Sequence, residues 1–157
     1  MEGELLELDT AKRSLLEDLL LDIEDNEPVV VFCRFRRDLD AVRYVAERLH
    51  RLCYELSGRK DELKEWQTGH PAVLAVQIQS GGEGNDFTRA RYSFFYSLGF
   101  SLKDYGQALK RTHRPGQTRA VFHTHLVAKG TIDEKILKAL NKGADVIAEI
   151  LQEMKAA

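Results

Sequence analysis

The 157-residue chain is long enough for one domain with a single sizeable core. Its 43% hydrophobic and 31% charged residues are ordinary for a globular protein, and no apolar run approaches membrane-spanning length. A net charge of −2 excludes the strong basic excess that would argue DNA binding unaided.

The charge is unevenly spread. Residues 1–28 carry ten acidic and two basic side chains, a balance of −8, whereas the other 21 basic and 15 acidic side chains give +6. The basic groups cluster at Arg34, Arg36 and Arg37, and again at Lys110, Arg111, Arg114 and Arg119. That pattern is compatible with nucleic acid or nucleotide. The start, Met-Glu-Gly-Glu, is unlike a signal peptide, so an intracellular, cytoplasmic protein is expected. Cys33 and Cys53 each sit in an apolar, strand-like run and read as buried, reduced thiols.

The first predicted element is a helix from Thr10 to Glu24, with Leu15, Leu16, Leu19, Leu20 and Ile23 at helical spacing. Asn26 and Pro28 stop it. Val29 to Cys33 is a short, β-branched apolar run, the signature of a strand buried on both faces in a parallel sheet. Arg34 to Asp38 form the predicted turn. A helix then runs through Leu49, with Leu39, Val42, Val45, Ala46 and Leu49 as its apolar stripe. Leu52 to Leu56 is a second strand, and a short helix follows from Lys60 to Gln67, in which Trp66 is read as a core anchor. Val73 to Ile78 is a third strand, Ser80 to Thr88 a Gly-rich loop, and Arg91 to Tyr96 a fourth strand. A helix opening at Ser101, with Asp104 as its capping-box acid, ends at Pro115-Gly116, which leaves Arg114 at a frayed end. Ala120 to Val127 is a fifth strand. Thr131 and Glu134 make a second capping box before a last helix with the stripe Ile132, Ile136, Leu140, Ile147 and Leu151.

Alternating strands and helices predict an α/β, three-layer fold with a mainly parallel sheet flanked by helices. Ligands collect beyond the carboxyl ends of such strands, at Arg34–Arg37, Ser80–Thr88 and Ser97–Ser101.

Two segments carry chemistry. On a helix, Gln107, Arg111 and Arg114 stand at i, i+4 and i+7 and share one stripe, with Leu102, Tyr105 and Leu109 opposite. Two guanidiniums on a rigid face suit a nucleotide phosphate. The plainer alternative is a solvated basic helix end. In Ser80–Thr88, Gly81, Gly82 and Gly84 let backbone amides approach an anion or sugar, and Asp86 is placed to accept a hydrogen bond from a ribose hydroxyl. Tight turns without a ligand also use such glycines. His123 and His125 have a spacing that can bind zinc, but no third ligand stands near them in sequence, so packed or surface histidines are expected and no metal.

The order of these features resembles the C-terminal RecA-like lobe of a superfamily 2 helicase, in its Swi/Snf-like branch. Gln107-Ala108-Leu109-Lys110-Arg111-Thr112-His113-Arg114-Pro115-Gly116-Gln117 is very similar to that branch's motif VI. Ser80 to Thr88 resembles motif V, Val29 to Arg36 resembles motif IV, and Lys129 to Leu137 matches the stretch that commonly follows. The resemblance implies one lobe, residues 1–157, with residues 1–9 as interlobe linker. It implies an N-terminal RecA-like lobe as partner, with ATP and Mg2+ bound between the two and DNA, or RNA, gripped by its backbone. By this resemblance Arg114 matches the arginine finger, and Arg111 would hold the γ-phosphate or position the finger. Gln107 matches the coupling glutamine, and Gly84 and Asp86 lie near the nucleotide sugar. The resemblance also implies that Arg34, Arg36, Ser80 and Gly81 would face the nucleic-acid backbone.

The chain departs from the branch at Asn85-Asp86, where Leu-Asn is usual, and at Tyr96 to Ser101, which lacks Asp-Pro-x-Trp-Asn-Pro. The likeness is therefore expected to be to compact phage and bacterial members, with no remodelling role implied. Neither a Gly-x-x-x-x-Gly-Lys-Ser/Thr loop nor an Asp-Glu-x-His box occurs in the chain. It is accordingly expected to hold no ATP tightly and to hydrolyse none by itself. Two alternatives stay open at this point: a stand-alone nucleic-acid-binding or regulatory module, and a small phosphate-binding α/β protein.

Overall fold

The computed structural model describes residues 2–78, 85–97, 102–112, 119–127 and 134–138. Five strands form one sheet: β1 (Val29–Cys33), β2 (Cys53–Leu56), β3 (Val73–Gln77), β4 (Tyr92–Phe95) and β5 (Phe122–His125). Their order is β2-β3-β1-β4-β5 and every pairing is parallel. The central strand β1 is buried at all five positions, as its unbroken apolar run requires. Successive residues of β1 serve different layers. Val29, Val31 and Cys33 pack with α1 (Glu2–Leu21) and α2 (Arg36–Arg48) through Leu16, Leu20, Leu39, Val42, Val45 and Ala46. Val30 and Phe32 pack on the other face with α3 (Leu63–Thr68), α4 (Leu102–Thr112) and the helical residues 134–138, through Trp66, Ala108 and Ile136. Each fully buried aliphatic side chain contributes about 1.5–3 kcal/mol to this three-layer core.

Trp66 is fully buried, and its indole N–H donates to the Ala72 carbonyl at 2.8 Å, which confirms the anchor role. Ile136 lies in the same layer, so the described part of the last helix packs on its own sheet; the rest of its predicted stripe lies outside the described residues. The cysteines are unpaired. The register explains why: Cys33 pairs with Gln77 at one end of β3, and Cys53 with Val73 at the other. Cys33 is buried, whereas Cys53 is half-buried.

Strands β2 to β5 are shorter than the sequence reading by up to two residues at an end, α1 stops at Leu21 before the predicted Glu24, and the first three helices start elsewhere. α1 begins at Glu2, before Thr10, because Glu and Leu dominate that stretch and both favour helix. α2 begins at Arg36, inside the predicted turn, because the Asp38 carboxylate accepts the Phe35 N–H at 3.3 Å and caps the helix early. α3 begins three residues after Lys60. Ser57 N–H donates to the Lys60 carbonyl at 2.8 Å and Glu62 N–H to the Glu55 carbonyl at 2.9 Å, so residues 57–62 fold back on β2 first.

Candidate nucleotide and nucleic-acid site

β1 connects through α2 to β2 on one side of the sheet, and β4 connects through α4 to β5 on the other. The carboxyl ends of the adjacent strands β1 and β4 therefore flank the point where the winding reverses, which is where such sheets bind ligands. A hydrogen-bonded chain joins the two exits. Arg34 N–H donates to Ser97 Oγ at 2.7 Å, and Ser97 Oγ–H donates to Asp38 Oδ2 at 2.7 Å. From β3, Gln77 Nε2 donates to the Arg34 carbonyl at 3.5 Å. Lys12 Nζ donates to the Tyr96 carbonyl at 3.0 Å. Burial pushes the Asp38 carboxyl above its usual range, and the hydrogen bonds from Ser97 and Phe35, with the charges of Arg37 and Lys12, pull it back only in part.

This brace holds the basic turn. Arg34 is half-buried, whereas Phe35, Arg36 and Arg37 are exposed. Arg36 and Arg37 occupy the first turn of α2, an end whose macrodipole favours anions. Cations there raise the helix energy slightly, and a bound anion reverses that effect. The other two sequence-predicted backbone contacts, Ser80 and Gly81, lie outside the described residues, as does Gly84.

The second cluster sits on the α3/α4 face. Residues 85–88 run between the last turns of these helices. Gln67 Nε2 donates to the Asp86 carbonyl at 2.9 Å, and Phe87 N–H donates to the Arg111 carbonyl at 3.0 Å. Arg89 donates to the carbonyls of Gly69, at 2.7 Å, and Trp66, binding the same strip to the end of α3. Asp86 Oδ1 accepts the Thr88 N–H at 2.8 Å and its hydroxyl at 2.5 Å, so this carboxylate anchors its own turn.

On α4, Arg111 donates through Nη2 to Gln107 Oε1 at 3.1 Å, the i, i+4 contact the spacing requires. Its Nε–H is buried with no hydrogen-bond partner among the described residues. Ala108 and Thr112 are buried and Tyr105 and Leu109 pack on the core, so the stripe of Gln107 and Arg111 stands apart from the core-facing one. Arg114, with the rest of 113–118, lies outside the described residues.

The two strand histidines are packed into the fold. His123 Nδ1 pairs with Ser93 Oγ at 2.6 Å, and His125 Nε2 with the Tyr105 hydroxyl at 2.8 Å. The His125 ring stacks on Phe95 with centroids 4.8 Å apart. Burial, then the neighbouring His123, lowers the His125 pKa from its usual value.

Residues 11–116 match the model of the helicase conserved C-terminal domain. The chain belongs to that family. Its helicase C-terminal domain is 32% identical over 141 residues to the ATP-dependent helicase fft1 of Schizosaccharomyces pombe, covering 85% of this chain and 15% of that protein. It is 29% identical over 157 aligned residues to the chromatin-remodelling ATPase INO80 of Debaryomyces hansenii, covering 95% of this chain and 11% of that protein. The INO80 of Drosophila melanogaster is likewise 29% identical, over 92% of this chain and 9% of its own length. The chain thus spans a small part of these relatives. The crystal structure of the C-terminal part of the Fun30 ATPase domain superposes with a TM-score of 0.72 at 26% identity, over 88% of this chain and 50% of that one. The fold is RecA-like and the family is the Swi/Snf-like one expected. The expected likeness to phage and bacterial members is not supported, because these relatives are eukaryotic and two of them carry remodelling in their names. Loss of one short motif before α4 was too local a difference to place the chain within the family.

Asp38 and Gln77 of the carboxyl rim lay outside the three predicted loops, and Phe35 and Ser97 lay within them without an assigned role. Only Asp38 had a local signal, an acid three residues beyond Phe35 at the head of an apolar stripe.

Proposed function

We propose that this chain is the second motor lobe of an ATP-dependent DNA translocase or helicase, active when closed against an N-terminal lobe. The observation that carries the reading is the bond from Phe87 N–H to the Arg111 carbonyl, which sets the end of the Gly-rich segment against the arginine-bearing turn of α4. The buried Arg111 Nε–H, without an acceptor among the described residues, fits a phosphate oxygen. In this reading ATP with Mg2+, bound mainly by the other lobe, supplies the transferable phosphoryl group. Arg111 holds the γ-phosphate, Arg114 stabilises the charge that develops on transfer, and Gln107 orients Arg111. Gly84 and Asp86 face the nucleotide sugar. Arg34, Arg36, Ser80 and Gly81 hold the nucleic-acid backbone without reading its sequence. An intracellular, chromatin-linked setting follows from the names of the relatives. Among the described residues, no helix is long and apolar enough to cross a membrane.

The test is reconstitution. The chain joined to a Walker-containing N-terminal lobe should hydrolyse ATP with DNA stimulation, whereas each lobe alone should not. Turnover by this chain alone, or no turnover by the joined lobes, would overturn the reading.

A further inference from the structure

Phe35 is a large apolar side chain left 40% exposed at the mouth of the basic turn. The turn that carries it is braced by Asp38, Ser97 and Gln77, from three different elements of the fold. The guanidinium carbons of Arg34 and Arg37 both lie over its ring, each 4.8 Å from the centroid. The negative face of the ring favours each cation. Together they set two cations beside one exposed ring. A guanidinium carries its N–H donors in a planar fork that matches two phosphate oxygens.

We infer that Phe35 is a positioning residue, which holds Arg34 and Arg37 as a paired clamp on a phosphodiester backbone, and that Arg37 is itself a phosphate contact. The inference rests on the proposed backbone role of Arg34 and Arg36 and extends it. A ring that merely filled space would be replaceable by leucine. A ring that stacks cations is replaceable only by another aromatic ring.

The experiment measures binding of the 157-residue chain to a short mixed-sequence DNA duplex by fluorescence anisotropy across a salt series, with a thermal melt for each variant. Phe35→Leu should weaken binding roughly five- to tenfold, the scale of two exposed cation–π contacts. It should also make the slope of log affinity against log salt shallower by about one. Phe35→Tyr and Phe35→Trp should restore both. Arg37→Ala should make the slope shallower by about one. Wild-type affinity and slope in a folded Phe35→Leu chain would overturn the inference, and so would a wild-type slope in Arg37→Ala, which stays informative if Phe35→Leu fails to fold. The double variant Arg34→Ala, Arg36→Ala separates the two proposals. If it weakens binding while Phe35→Leu and Arg37→Ala do not, this inference alone fails. If it changes nothing, or if the wild-type chain shows no salt-dependent binding, the backbone contacts fail and the clamp with them.

Discussion

The N–H of Phe87 donates to the carbonyl oxygen of Arg111 at 3.0 Å. One end of the Gly-rich segment is thereby tied to the last turn of α4, which carries Lys110 and Arg111, although 24 positions separate the two residues. The bond uses main-chain atoms only, so it does not depend on the Arg111 side chain, whereas the Phe87 ring is fully buried in the core. Variants of Arg111 consequently leave this tie in place.

In a two-lobe parent, Arg114→Ala should lower turnover by roughly a thousandfold or more, the scale of arginine-finger effects, with ATP binding largely kept. Arg111→Lys should also fail, because an ammonium cannot reproduce the forked contact of a guanidinium. Single-turnover hydrolysis and equilibrium nucleotide binding measure the two terms separately. Unchanged turnover in Arg114→Ala ends the finger assignment.

Ser97 is the shared partner of Arg34 N–H and the Asp38 carboxylate. Ser97→Ala leaves both without that partner, which should cost about 1–3 kcal/mol. At this chain length that is a fall of several degrees in melting temperature. Ser97→Thr keeps the hydroxyl and should recover most of it. Equal melting temperatures for wild type and Ser97→Ala would show that the brace contributes nothing.

The thiols should be inert. Burial raises the Cys33 pKa well above the ordinary value, and burial, against the opposing charge of Arg43, pushes Cys53 up to about 12. A rise of that size at Cys53 cuts its thiolate fraction at pH 8 by on the order of a thousandfold. A thiol-reactive dye should label neither cysteine rapidly in the native chain and both after denaturation. Fast native labelling of Cys53 would refute this.

His125 has a folded-state pKa below its usual value. As pH falls through that usual value, the unfolded chain takes up a proton that the folded chain does not, so stability falls. The contribution is fully present at pH 7 to 8 and is lost progressively as pH drops toward the lowered folded pKa. The urea midpoint should therefore decline between pH 7 and pH 5, and His125→Gln should decline less over the same window. Parallel declines would assign the pH dependence to other groups.

Much of the framework was legible in the order of residues. The apolar run Val29–Cys33, the stripe of α2, the anchor Trp66 and the spacing of Gln107 and Arg111 are local patterns whose period matches a strand or a helix. Where boundaries moved, at Arg36 and Leu63, a hydrogen bond between residues a few positions apart had shifted the start of the helix. The site was legible in part. Arginines and glycines announce themselves by type, and Ser97 opens a predicted loop, but the bracing roles of Ser97 and Gln77 are visible only beside Arg34.

Local periodicity and residue type by themselves determined the three-layer class, the faces of the helices and the family. Tertiary structure decided which loops meet. The strand order brings Arg34 beside Ser97 across 63 positions, and Phe87 beside Arg111. No helical or strand period reaches that far, because pairing between distant segments is chosen by burial of the whole sheet and not by any short stretch of chain.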